Sequence, residues 1–156
     1  MKKALNVITL FAFLFAGATF ASPNSPIGKW KTIDDETHKV KSIVSIWQDG
    51  NGKLRGKIEE IFPDPGEDPD PVCDKCEPED PRYNKRIIGM EIMNGFTRTS
   101  PNNPSEWEEG EILDPDNGKV YSCNLTVDAS GKSLEVRGYI GFSWIGRSQT
   151  WVRLTE

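Results

Sequence analysis

Val40-Lys-Ser-Ile-Val-Ser-Ile-Trp-Gln48, then Asp49-Gly50-Asn51-Gly52-Lys53, then Leu54-Arg-Gly-Lys-Ile-Glu-Glu-Ile-Phe62 reads as two strands joined by a tight turn. The first segment is rich in Ile and Val, whose branched side chains fit a pleated surface. Gly and Asn in the connection tolerate the positive φ that hairpin turns require. In the second segment Leu54, Gly56 and Ile58 fall on one face and Arg55, Lys57 and Glu59 on the other. That alternation is the period of a half-buried strand.

The same grammar extends in both directions. Strands are expected over residues 27–33, 87–96, 107–113, 119–127, 134–141 and 148–154, with turns at Asp114-Pro115-Asp116-Asn117-Gly118 and Asp128-Ala129-Ser130-Gly131. Within 119–127, Tyr121, Cys123, Leu125 and Val127 share one face. No stretch beyond the N-terminal segment carries a helical period. About eight short strands joined mostly by tight turns point to an up-and-down barrel or a sandwich. A barrel removes the unpaired sheet edges that invite aggregation. Residues 63–86 are the exception: Pro and Asp crowd out regular structure, and the segment reads as one long loop holding Cys73 and Cys76.

The N-terminus carries a different message. Lys2 and Lys3 precede an apolar run over residues 4–20, and Thr19-Phe20-Ala21 offers small residues where a signal peptidase reads. This is the pattern of a secretory signal, expected over residues 1–21 and removed to leave one domain over 22–156. The run is on the short side for a spanning helix, so the expected product has no membrane span after cleavage. No Cys lies near the cut for lipid attachment, so a soluble periplasmic domain is expected. The chain has net charge −5, and loss of Lys2 and Lys3 makes it more acidic. Such a domain is repelled by phosphate backbones and anionic lipid, which argues against nucleic acid as a partner.

Gly28-Lys29-Trp30 opens the first strand and Trp151-Val152-Arg153 lies in the last. In a closed meander these strands are neighbours, so Arg153 can cover Trp30, a contact worth about 0.5–2 kcal/mol. The arrangement resembles lipocalins and related small barrels, and gives Gly28, Trp30 and Arg153 structural roles. Longer strings point to a narrower group: Asp34-Asp35-Glu36-Thr37, Val72-Cys73-Asp74-Lys75-Cys76, Gly89-Met90-Glu91-Ile92, Ile112-Leu113-Asp114-Pro115, Gly118-Lys119-Val120-Tyr121, Arg137-Gly138-Tyr139-Ile140-Gly141 and Gly146-Arg147-Ser148-Gln149-Thr150-Trp151. With Gly28-Lys29-Trp30 they resemble a bacterial secreted family, domain of unknown function 2147. The resemblance implies an exported all-β protein, here a lipocalin-like antiparallel up-and-down β-barrel of about eight strands. It brings no activity with it.

An oxidising compartment favours a disulfide, within Cys73–Cys76 or from one of them to Cys123. A thiol-redox or metal-binding module through Cys73, Cys76 and Cys123 is an alternative. Carboxylates crowd the Cys pair and disfavour a reactive thiolate. A zinc site would need His38 or a carboxylate as a fourth ligand. His38 is the single histidine, and no Gly-x-Ser-x-Gly, His-Glu-x-x-His or phosphate loop is present. An enzyme of unknown class is therefore the minority reading, and no catalytic residue and no cofactor are assigned. The leading expectation is a pocket for a small apolar or amphipathic ligand, with an envelope protein partner as a variant. Glu135, Arg137 and Tyr139 share one strand face, and Gln149, Trp151 and Arg153 share another. Arg137, Tyr139, Trp151 and Tyr121 are the candidate ligand contacts; periodicity alone does not say which face is inside.

Overall fold

The computed structural model describes residues 23–155. The expected signal over residues 1–21 lies outside the described residues. Eight strands follow in chain order: β1 (Gly28–Ile33), β2 (Val40–Gln48), β3 (Leu54–Ile61), β4 (Glu91–Ser100), β5 (Asn103–Asp114), β6 (Lys119–Val127), β7 (Ser133–Tyr139) and β8 (Gly146–Arg153). Each pairs antiparallel with its sequence neighbours, and β8 returns to β1, closing a barrel. Among the described residues there is no helix. The strand expected from residue 87 begins instead at Glu91. Residues 87–90 turn, with Met90 N–H donating to Ile87 and Gly89 at φ 89°.

Inward residues decrease in bulk from one end of the barrel to the other. One end is filled by Trp30, Ile46, Leu54, Phe96, Trp107 and Leu134, all essentially inaccessible to solvent. There the packing uses absent side chains. The Phe96 ring lies against Gly110, where an added Cβ would come within 2.3 Å of it. A bulge in β5 between Trp107 and Gly110, with Glu109 at φ 61°, makes this approach possible. Ascending the strands, Trp30 gives way to Thr32, Val44 to Ser42, and Val136 to Gly138. The barrel is thus solid at one end and hollow at the other.

The β1–β8 seam is backbone-paired at Trp30↔Arg153 and Lys31↔Val152, and just beyond β8 the Leu154 N–H donates to the Lys29 carbonyl at 2.9 Å. Arg153 reinforces it. Its guanidinium lies 4.1 Å from the centre of the Trp30 ring. It donates to the carbonyls of Gly131 at 2.5 Å, Ser25 at 2.7 Å, and Ile27 and Pro23 at 3.1 Å. Trp30 Nε1 donates to the Pro26 carbonyl at 2.7 Å. A planar fork of donors can satisfy several carbonyls while stacking on an indole; a lysine cannot. Toward the hollow end the seam is bridged by side chains alone: Asp35 accepts from Arg147 and, at 3.5 Å, from Gln149 Nε2.

Candidate functional site

The hollow end holds a cavity of about 1030 Å³ that opens to solvent. The turn at 34–39, the long segment 62–90, the turn at 115–118 and the 140–145 connection form its rim. Ile58, Ile92, Ile112, Val136 and Trp151 give it an apolar wall. Charged groups ring the mouth, among them Asp34, Lys39, Lys41, Asp64, Asp74, Lys75, Asp116 and Arg147. Thr32 and Ser42 hydroxyls bond each other at 2.8 Å, Gln149 Oε1 accepts from Trp151 Nε1 at 3.3 Å, and the Tyr121 hydroxyl accepts from Asn117 Nδ2 at 3.1 Å. An apolar wall with fixed polar atoms beneath a charged mouth matches the general form of small-molecule sites, and small barrels can leave such a chamber in their interior.

The four candidate ligand contacts do not all meet there. Tyr121 and Trp151 line the cavity, and Tyr139 lies at its rim. Arg137 does not line it. The β6–β7 register sets Cys123 against Gly138 and Leu125 against Val136, so Val136 and Gly138 are the inward residues of β7 and Arg137 points out. There it donates to the Ser143 carbonyl at 2.8 Å and the Ser148 hydroxyl at 3.1 Å. The arginine at the mouth is Arg147, which shares the inward set of β8 with Gln149 and Trp151. Two-residue steps back from Trp151 lead to it, once that face is known to be inside.

The long segment is ordered by its own bonds. Cys73 and Cys76 form a disulfide and are buried. Cys73 N–H donates to the Lys85 carbonyl at 2.9 Å, Asn84 N–H to the Cys73 carbonyl at 3.0 Å, and Val72 bridges Arg86. Asp80 chelates Arg82 at 2.6 Å, which holds the carboxyl below its ordinary range. Lys75 Nζ reaches the Asp116 carbonyl at 2.9 Å, and the Lys75 backbone fits against Gly118. Pro71, Val72, Asp74 and Lys75 thereby become part of the cavity rim.

Cys123 is left as a free, fully buried thiol on the inner face of β6, pushed up to about 12 by desolvation. The alternative stapling of the loop to the barrel wall through Cys123 is thus corrected. The observed bond closes a short loop, so its chain-entropy contribution is about 2 kcal/mol rather than the 3–4 expected for a long one. Three thiols are not available to a metal, and among the described residues no cluster of three or more His, Cys, Asp or Glu is arranged to hold one. We predict that a thiol reagent titrates no cysteine in the native protein, one after denaturation, and three after denaturation with reductant. A second thiol without reductant would contradict the pairing.

A smaller cleft of about 530 Å³ lies beside β4, lined by Arg55, Arg82, Arg86, Glu91 and Glu111 among others. Its guanidinium groups are already ion-paired, Arg55 with Glu91, Arg82 with Asp80 and Arg86 with Asp70. His38 stands exposed on the 34–39 turn at φ 59°.

Among solved structures, the chain is similar to a protein from the human pathogen Helicobacter pylori described as belonging to the lipocalin family. The TM-score is 0.67 at 19% sequence identity, over 83% of each chain. At that identity the likeness shows the fold: a lipocalin-like barrel. No curated protein matches the sequence. A family model described as uncharacterized protein conserved in bacteria matches residues 28–153, the full span from the Gly-x-Trp start to Arg153, so the chain belongs to the family of domain of unknown function 2147.

Proposed function

We propose that this protein binds one small apolar or amphipathic ligand in the hollow end of its barrel, and does so in the periplasm after removal of residues 1–21. The observation that carries the binding reading is the graded interior. Thr32, Ser42 and Gly138 stand where larger side chains would have filled the barrel, and the space they leave is walled by Ile58, Ile92, Val136 and Trp151. Leaving apolar surface unfilled forfeits packing energy, and a ligand restores it. The lipocalin family assignment of the structurally similar protein supports the same reading. Export is supported by the signal pattern and by a disulfide that suits an oxidising compartment.

Gly138→Leu tests the site. An added Cβ at Gly138 meets Tyr121 Cβ at 3.6 Å, an ordinary contact, so the larger side chain extends into free volume. Displacement of a fluorescent fatty-acid analogue should show affinity reduced at least about tenfold by the loss of space, with thermal stability nearly unchanged. Equal affinity in the two proteins would exclude the cavity as the binding site.

A further inference from the structure

Residues 140–147, Ile-Gly-Phe-Ser-Trp-Ile-Gly-Arg, are all exposed. Residues 140–145 connect β7 to β8 at the hollow end, and Gly146 and Arg147 open β8. Four are large and apolar: Ile140 is 67% exposed, Phe142 59%, Trp144 73% and Ile145 64%. Phe142 and Trp144 stack on each other at 4.5 Å, so the tip is a formed structure with no apolar partner on its outer side. Contiguous exposed apolar surface of this kind marks an interaction site.

We propose that this tip docks the barrel onto a lipid bilayer, burying Phe142, Trp144 and Ile145 at the headgroup–acyl boundary with the cavity mouth against the membrane. Three features favour lipid over a protein face. First, the four large apolar residues are concentrated within one short connection, 140–145, at the end of the barrel, a small tip that a fluid bilayer can surround. Secondly, aromatic side chains such as Trp are suited to the membrane interface. Thirdly, residues 140–146 hold no carboxylate, and of the two arginines at their base Arg147 is paired with Asp35 while Arg137 is held by neutral oxygens, the Ser143 carbonyl and the Ser148 hydroxyl. The Arg137 guanidinium thus keeps its charge at the base of the tip, where it complements lipid phosphates. Ile140 and Ile145 also line the cavity rim, so the tip borders the chamber. Docking is driven by apolar burial rather than by net charge, in keeping with an acidic protein. It requires no ligand in the cavity and stands or falls separately from the binding proposal.

The test mixes the purified full chain with phosphatidylcholine vesicles brominated along their acyl chains and reads Trp fluorescence. Trp144 should be quenched by the vesicles, and the effect should survive high salt. Trp144→Phe should retain vesicle binding but lose the quenching, because Trp30, Trp107 and Trp151 are buried and the half-buried Trp47 lies beside the 49–53 turn at the opposite end of the barrel. Phe142→Ser should weaken Trp144 quenching at least about tenfold in lipid concentration. Gly138→Leu should leave it unchanged. Absence of Trp144 quenching overturns the proposal, as does quenching that Phe142→Ser does not affect. Concentration-dependent dimers abolished by Phe142→Ser, with no vesicle quenching, would overturn it in favour of a second copy of the chain.

Discussion

Replacement of Trp30 by alanine is expected to lower the unfolding free energy by about 3–5 kcal/mol and the melting temperature by roughly 10–15 °C. Trp30 is fully buried on β1 and is among the largest side chains of the solid end. Its removal opens a void among neighbours that sit in a closed barrel and cannot collapse freely. It also leaves the Pro26 carbonyl without its indole donor and strips Arg153 of the ring on which it stacks. Because the β1–β8 seam has two backbone register pairs, both beside this residue, the variant weakens closure as well as packing. Trp144→Ala removes the same side chain from an exposed position and should cost less than about 0.5 kcal/mol. Chemical denaturation of the two variants measures the contrast; similar losses in both would contradict the assignment of Trp30 to the barrel's closure.

The second large effect is expected at Gly118. Its φ of +73° favours glycine, and an added Cβ would lie 1.7 Å from the Lys75 carbonyl oxygen and 2.7 Å from the Cys76 nitrogen. Those are backbone atoms, so the clash is relieved only if the turn or the long segment moves. Gly118→Val should destabilise by about 2–4 kcal/mol, combining backbone strain with overpacking. The displaced segment carries Pro71, Val72 and Asp74 on the cavity rim, so ligand affinity should fall with stability. Gly141 has a similar φ of +78° but nothing within 4 Å of an added Cβ. Gly141→Val therefore isolates the strain. Denaturant melts should show the Gly118 variant clearly worse, and limited proteolysis should find residues 62–90 newly cleavable. Equal losses at the two positions would mean that the Lys75 contact contributes nothing.

The strands were legible because alternation and turn chemistry are local. Val40–Gln48 and Lys119–Val127 have in the structure the bounds their sequences predict. The inward set Tyr121, Cys123, Leu125 and Val127 follows from the two-residue period. The start of β4 was not legible because Ile87 and Ile88 look like strand residues, yet Gly89 turns the chain before pairing begins. The site was harder to read for a stronger reason. Both faces of β7 carry plausible residues: Leu134, Val136 and Gly138 on one, Glu135, Arg137 and Tyr139 on the other. The choice between them is made by register with β6 and β8, which is a long-range property. Arg137 therefore reads as a ligand contact in the sequence yet points out of the cavity, while Arg147 lines its mouth. The cavity itself is written in small residues, Thr32, Ser42 and Gly138, and a missing side chain carries meaning only once the strands around it are in place. The Cys73–Cys76 pairing was one of the alternatives that spacing left open, and the fold of the long segment decides it.

Occupancy of the hollow end by a small apolar or amphipathic molecule is open to a direct measurement. Native mass spectrometry of the protein, purified from its own cells without denaturant, tests it most directly. One bound species per chain, released by organic solvent and absent from Gly138→Leu, is the expected result. A chain that is unliganded in every preparation, and that takes up no apolar probe when offered one, would contradict it.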